Sequence, residues 1–78
     1  MPTIAIINGY RFFFFSNEGT EPPHVHVEKD DKYAKVWLAT VELAWSRGFR
    51  SHELNEILRI VAGKKKTFTE KWHDYFNR

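Results

Sequence analysis

The run Pro22-Pro23-His24-Val25-His26-Val27 sets two imidazoles two positions apart, directly after a pair of prolines. Side chains alternate along a β-strand, so both rings leave one face about 6.6 Å apart, with Glu28 next on that side. Such a pair has three uses. Neutral rings bind a divalent metal such as zinc, with Glu28 as a carboxylate ligand and a fourth ligand from elsewhere or from water. Rings that titrate near neutral pH serve as acid and base in phosphodiester cleavage, with Lys35 and Arg11 stabilising charge if folding brings them close. Nearby cations lower an imidazole pKa and favour its base form. The third use is structural, with both rings decorating a solvated strand face. Arg11 is a charge within a strand otherwise apolar on both faces, and it needs a carboxylate, a sheet edge or a ligand phosphate. His52 and His73 have no supporting spacing and read as ordinary structural residues. Trp37, Trp45 and Trp72 read as core or interface, with base stacking as the alternative.

The chain around these residues is short. Its 78 residues make one domain, 1–78, and a chain of that size buries only about 60 to 65% of its unfolded surface, so association would help it. A hydrophobic content of 42% with 17% aromatics argues for a folded domain over disorder. The absence of cysteine excludes disulfides, thiol catalysis and Cys-ligated zinc, so any metal must be held by His and carboxylates. No apolar run approaches the roughly 20 residues of a bilayer span, and no leader precedes one, so we expect a soluble cytoplasmic protein without a membrane partner. The net charge of +2 conceals two basic and five acidic residues in Met1 to Asp31 against ten and five in Lys32 to Arg78. A basic second half suits RNA, DNA or an acidic protein, although Lys64-Lys65-Lys66 also reads as a solvated helix end.

The elements that must position the site follow from turn residues and periodicity. Thr3 to Ile7 and Tyr10 to Phe15 are strands joined by Asn8-Gly9, which suits a type I′ turn and sets Ile7 opposite Tyr10 and Ile4 opposite Phe13. Both faces of that hairpin are apolar: Ile4, Ile6, Phe13 and Phe15 with Arg11, and Ala5, Ile7, Tyr10, Phe12 and Phe14. One layer of helices covers only one of them, so a homodimer or heterodimer should cover the Ile4, Ile6, Phe13, Phe15 side. Asn17 to Pro23 is a loop. With Asp30-Asp31 as a turn, Val25, Val27, Ala34, Val36 and Leu38 share the core face, while His24, His26, Glu28, Tyr33, Lys35 and Trp37 share the other. Thr40 to Trp45 reads as a short fifth strand. Ser51 caps a helix through Leu54, Ile57, Leu58 and Val61 that ends near Gly63, and Thr67-Phe68-Thr69-Glu70 is a capping box for a second helix carrying Phe68, Trp72, Tyr75 and Phe76. The predicted class is α+β, an antiparallel sheet of four or five strands followed by two C-terminal helices packed on one face.

The blocks Met1-Pro2-Thr3-Ile4, Asn8-Gly9-Tyr10-Arg11-Phe12, Ser16-Asn17-Glu18, Pro22-Pro23-His24-Val25-His26-Val27, Ala34-Lys35-Val36-Trp37-Leu38, Glu53-Leu54-Asn55-Glu56-Ile57 and Trp72-His73-Asp74-Tyr75-Phe76 resemble the bacterial domain-of-unknown-function family four-one-six-zero. The resemblance implies a small one-domain protein encoded beside a member of another small family, two-four-four-two, in a toxin-antitoxin-like pair. On that basis we expect the toxin-like half, acting on RNA as a metal-independent ribonuclease through His24, His26, Lys35 and Arg11, with the small protein encoded nearby as its partner. The alternatives are a non-catalytic adaptor or antitoxin-like binding protein, and a divalent-metal-binding module built on His24, His26 and Glu28.

Overall fold

A computed structural model describes residues 3–77; Met1, Pro2 and Arg78, which belong to the expected domain, lie outside the described residues. The elements are β1 (Thr3–Ile7), β2 (Tyr10–Phe13), β3 (His24–Lys29), β4 (Lys32–Trp37), β5 (Glu42–Arg47) and α1 (Ser51–Phe76). The strands form one antiparallel meander in the order β1-β2-β3-β4-β5, so each pairs with its neighbour in sequence. The α+β class and the fifth strand stand. The helix count does not: one 26-residue helix takes the place of the two expected.

The reason lies in the phase of its apolar stripe. Ile57, Val61, Phe68 and Trp72 are the buried residues of α1, and their steps of four, seven and four keep one face toward the sheet straight through Gly63. A break at Gly63 would cost that registration. Continuing the helix through one exposed glycine costs only about 1 kcal/mol relative to alanine. Thr67 and Glu70 therefore lie within the helix instead of opening one. Ser51 is its first residue, and Arg50 occupies the cap position, with its backbone N–H donating to Glu53 Oε1 at 2.9 Å.

Both tight turns fall where the sequence puts them. Asn8 and Gly9 have φ of 54° and 84°, as a type I′ turn needs, and Asp30 at 56° joins β3 to β4. The β3–β4 register runs from His24 opposite Trp37 to Lys29 opposite Lys32, which sorts the two faces as predicted. The first hairpin differs in one place. Ile7 faces Tyr10 and Ala5 faces Phe12, but an irregularity between Thr3 and Ala5 sets Thr3, not Ile4, opposite Phe13. That shift turns Ile4 onto the core, where it packs with Ala5 and Ile7.

Tyr10, Phe12, Phe14, Val25, Val27, Ala34, Val36 and Leu38 make the helix-facing layer of the sheet. Of the four apolar residues expected to need a second molecule, Ile4 is thus absorbed and Phe13 is only 2% exposed, whereas Ile6 remains 70% exposed. The demand for a partner on that hairpin is smaller than its sequence suggests. Tyr10 donates its hydroxyl to Glu56 Oε1 at 2.8 Å and so ties β2 to the helix.

Two outcomes follow. Gly63 has nothing within 4 Å of an added Cβ, so Gly63→Ala should stabilise the protein by about 1 kcal/mol in chemical denaturation; a loss of stability would mean that the helix bends there. Burial, then the Glu56 hydrogen bond and charge, push the Tyr10 phenol from 10.0 to about 12. A raised pKa stabilises the fold below the unfolded value, so stability should fall as pH climbs from 10.0 to about 12, and Tyr10→Phe should flatten that fall.

Candidate functional site

The site lies where the start of β3, the loop of residues 14–23 and the C-terminal turns of α1 converge. Pro22 and Pro23 hold the backbone extended into β3, and the Pro23 carbonyl accepts the Leu38 N–H at 3.0 Å, which fixes the first residue pair of the ladder. His24 and His26 then emerge on the helix-free face. They are not solvated: His24 is wholly buried and His26 is 5% exposed.

Aromatic rings enclose them. Trp72 reaches round from the helix to 4.8 Å from the His24 ring, and Trp37 meets its edge at 5.6 Å. Phe13 stacks on His26 at 5.5 Å and Phe15 meets it edge-on at 4.5 Å. The residue that joins the two rings is Glu18. Its Oε1 lies 2.9 Å from His24 Nε2 and 2.6 Å from His26 Nε2. Two successive turns, Glu18 N–H to the Phe15 carbonyl and Glu21 N–H to the Glu18 carbonyl, fold the loop so that this carboxylate points inward. Gly19 makes the fold possible because a Cβ there would sit 2.5 Å from Phe76 Cδ1.

The hydrogen bonds assign protons. His24 Nδ1 lies 2.9 Å from the Pro22 carbonyl, which can only accept, so Nδ1 carries a hydrogen and Nε2 is the atom turned to Glu18. In that tautomer Nε2 and the Glu18 carboxylate are both acceptors, so a proton or a metal cation must lie between them. Burial pushes the His26 imidazolium below its ordinary range; the Glu18 hydrogen bond and charge oppose this, while charge from His24 and Lys35 adds to it. Burial pushes the Glu18 carboxyl up, but the hydrogen bonds and charges of both rings outweigh it and hold it below its ordinary value. These directions agree with an ionised Glu18 and a neutral His26.

The other candidates are placed differently. Arg11 donates to Glu28 at 2.9 Å and to Thr3 at 2.7 Å, and it lies over the Phe13 ring. Lys35 donates to Glu21 at 2.6 Å. Both cations therefore have internal carboxylates, and Glu28 serves Arg11 and stands outside the group of His24, His26 and Glu18, whose ligand atoms all lie within 4.8 Å of one another. His52 and His73 are exposed on the helix. Sequence reasoning missed Glu18, since a glutamate in a turn-rich loop carries no periodicity, and it missed that Trp72 covers His24.

Residues 9–73 match the family model "Domain of unknown function (DUF4160)", which is most of the chain, and the protein belongs to that family. Comparison with curated proteins and with solved structures gives no match. No helix among the described residues is long and apolar enough to cross a membrane.

Gly19→Ala should force Phe76 aside and displace Glu18 from the rings. We expect a loss of about 1–3 kcal/mol in unfolding free energy, partly restored by the smaller side chain of Phe76→Leu in the double variant. Additive losses would show that the Gly19–Phe76 contact does not position the loop.

Proposed function

We propose that this domain binds a divalent metal ion through His24 Nε2, His26 Nε2 and a Glu18 oxygen. The observation that carries this reading is the His24 ring itself, which donates Nδ1–H to a backbone carbonyl and turns Nε2 toward a second imidazole nitrogen and a carboxylate. A carbonyl behind the ring is the usual outer support of a metal-bound histidine, because it fixes the tautomer and the ring direction. Two imidazoles and one carboxylate suit zinc and its neighbours better than magnesium or calcium, which prefer oxygen. In the metal-free protein a proton lies between these acceptors, and metal entry displaces it.

The fit requires a small movement. Zinc–ligand bonds of about 2.0–2.2 Å with tetrahedral angles separate ligand atoms by about 3.4 Å, so Glu18 must withdraw by about 0.5–0.8 Å from its present contacts of 2.9 and 2.6 Å. Its loop can supply that, since the Glu18 side chain retains 22% exposure and opens a path from solvent. Three protein ligands leave a position for water, which a divalent cation acidifies into a nucleophile.

This reading fits the burial of His24 better than direct acid–base use of both histidines, which requires each ring to reach the substrate. The toxin-like role implied by the resemblance would then act through metal-bound water, with the histidines as ligands.

Calorimetric titration of chelator-treated protein with zinc should show one site, and saturating zinc should raise the melting temperature. Glu18→Ala and His26→Ala should abolish binding, whereas Glu28→Ala should leave it intact. Absence of both heat and thermal shift in the folded wild-type protein would overturn the metal reading.

A further inference from the structure

Cross-strand pairing lays two rows of side chains across the helix-free face. Arg11, Glu28, Tyr33 and Arg47 are successive partners from β2 to β5, and Phe13, His26, Lys35 and Trp45 are the next row. Between these rows lies a pocket of about 240 Å³ lined by Phe13, Phe15, His26, Tyr33, Trp45 and Arg47. Its walls are aromatic and its rim carries a guanidinium.

Three properties define the occupant. First, the pocket is smaller than the roughly 300–1,000 Å³ of a cleft that engulfs a whole ligand, so it takes one planar group and leaves the remainder outside. Second, Trp45, on the edge strand β5, is 48% exposed. An exposed indole beside Tyr33 offers a stacking platform. Third, Arg47 lies over the Tyr33 ring at 5.2 Å and has no carboxylate partner among the described residues, whereas Arg11, Lys32 and Lys35 each have one. A guanidinium held in place by a ring and lacking an internal anion is free to meet an external one.

We propose that this pocket takes one base of a single-stranded nucleic acid, stacked against Trp45 and Tyr33, with Arg47 on an adjoining phosphate. A planar group with an anion attached, inside a longer flexible chain, satisfies all three properties at once. Base stacking needs no particular sequence, so binding should be sequence-tolerant. The pocket adjoins the metal centre because the His26 ring lines it while Nε2 of the same ring faces Glu18. That the bound strand is the substrate of that centre rests on the metal reading; the binding itself does not.

The test is fluorescence anisotropy with labelled octanucleotides of one mixed sequence, as RNA and as DNA, added to folded protein in chelator. Binding of either strand supports the proposal, and the tighter one identifies the source. Trp45→Ala should weaken binding about 5- to 150-fold, as loss of one stacked base does. Arg47→Gln should weaken it and reduce the slope of log affinity against log salt by about 0.7, the value for one phosphate contact on a single strand. Both residues are exposed, so circular dichroism should show unchanged folding. Lys64→Glu with Lys66→Glu, on the exposed helix surface, should leave the salt-corrected effect of Trp45→Ala in place. No binding of either strand, or binding that both sheet variants leave unchanged, overturns the proposal. So does a dimer in light scattering that Trp45→Ala converts to monomer without altering nucleic-acid affinity, since a second copy would then be the occupant. Zinc binding without strand binding would refute this inference alone, and strand binding without zinc binding would refute only the metal reading.

Discussion

The phase of β3 governs this structure. Pro22 and Pro23 bring the chain into β3 extended, and the first ladder contacts fix His24 against Trp37. From there strict alternation sends Val25 and Val27 toward the helix and His24 and His26 away from it. A slip of one residue would bury two imidazoles among Phe12, Ile57 and Val61 and expose two valines, so the hydrophobic core enforces the orientation of the polar pair. The stability of one face is what aims the other.

Burying those imidazoles then creates a demand that a carboxylate from the preceding loop meets. Glu18 satisfies both Nε2 atoms, Pro22 satisfies His24 Nδ1, and no buried side-chain nitrogen or oxygen among the described residues lacks a partner. One carboxylate serves both rings, and burial pushes the His26 imidazolium below its ordinary range. Arg11 and Lys35 are likewise neutralised nearby, by Glu28 and Glu21. Arg47, at the outer edge of the same face, stands apart from this internal pairing.

What the sequence made legible was local. The Asn8-Gly9 and Asp30-Asp31 turns, the β3–β4 register and the division of faces all follow from turn chemistry and period-two patterning, because neighbouring residues decide them. The helix boundary expected at Gly63 rests on a glycine and a capping box, which are local signals, and the unbroken apolar stripe from Ile57 to Trp72 overrules them through packing. The turn of Ile4 onto the core depends on a backbone irregularity that no side-chain pattern announces. Within the site, the histidines were visible from spacing and the family from its motifs. Glu18 and Trp72 were not, because they reach His24 through folding of a loop and through a helix from the far end of the chain.

That last contact has a bearing on the order in which the molecule is made. A meander joins each strand to its immediate neighbour, so the sheet forms from contacts of short sequence separation, which close quickly. The ring of Trp72 over His24, and Phe76 against Gly19, bridge more than half the chain and depend on a helix whose C-terminal end projects past the strands toward the loop. The contacts of the scaffold are thus local, while those that close the centre are long-range. Neither Trp72 nor Phe76 belongs to a strand or a turn, yet they cover the His24 ring and abut the Glu18 loop. The chemistry of the site is in this way made conditional on the integrity of the far end of the polypeptide.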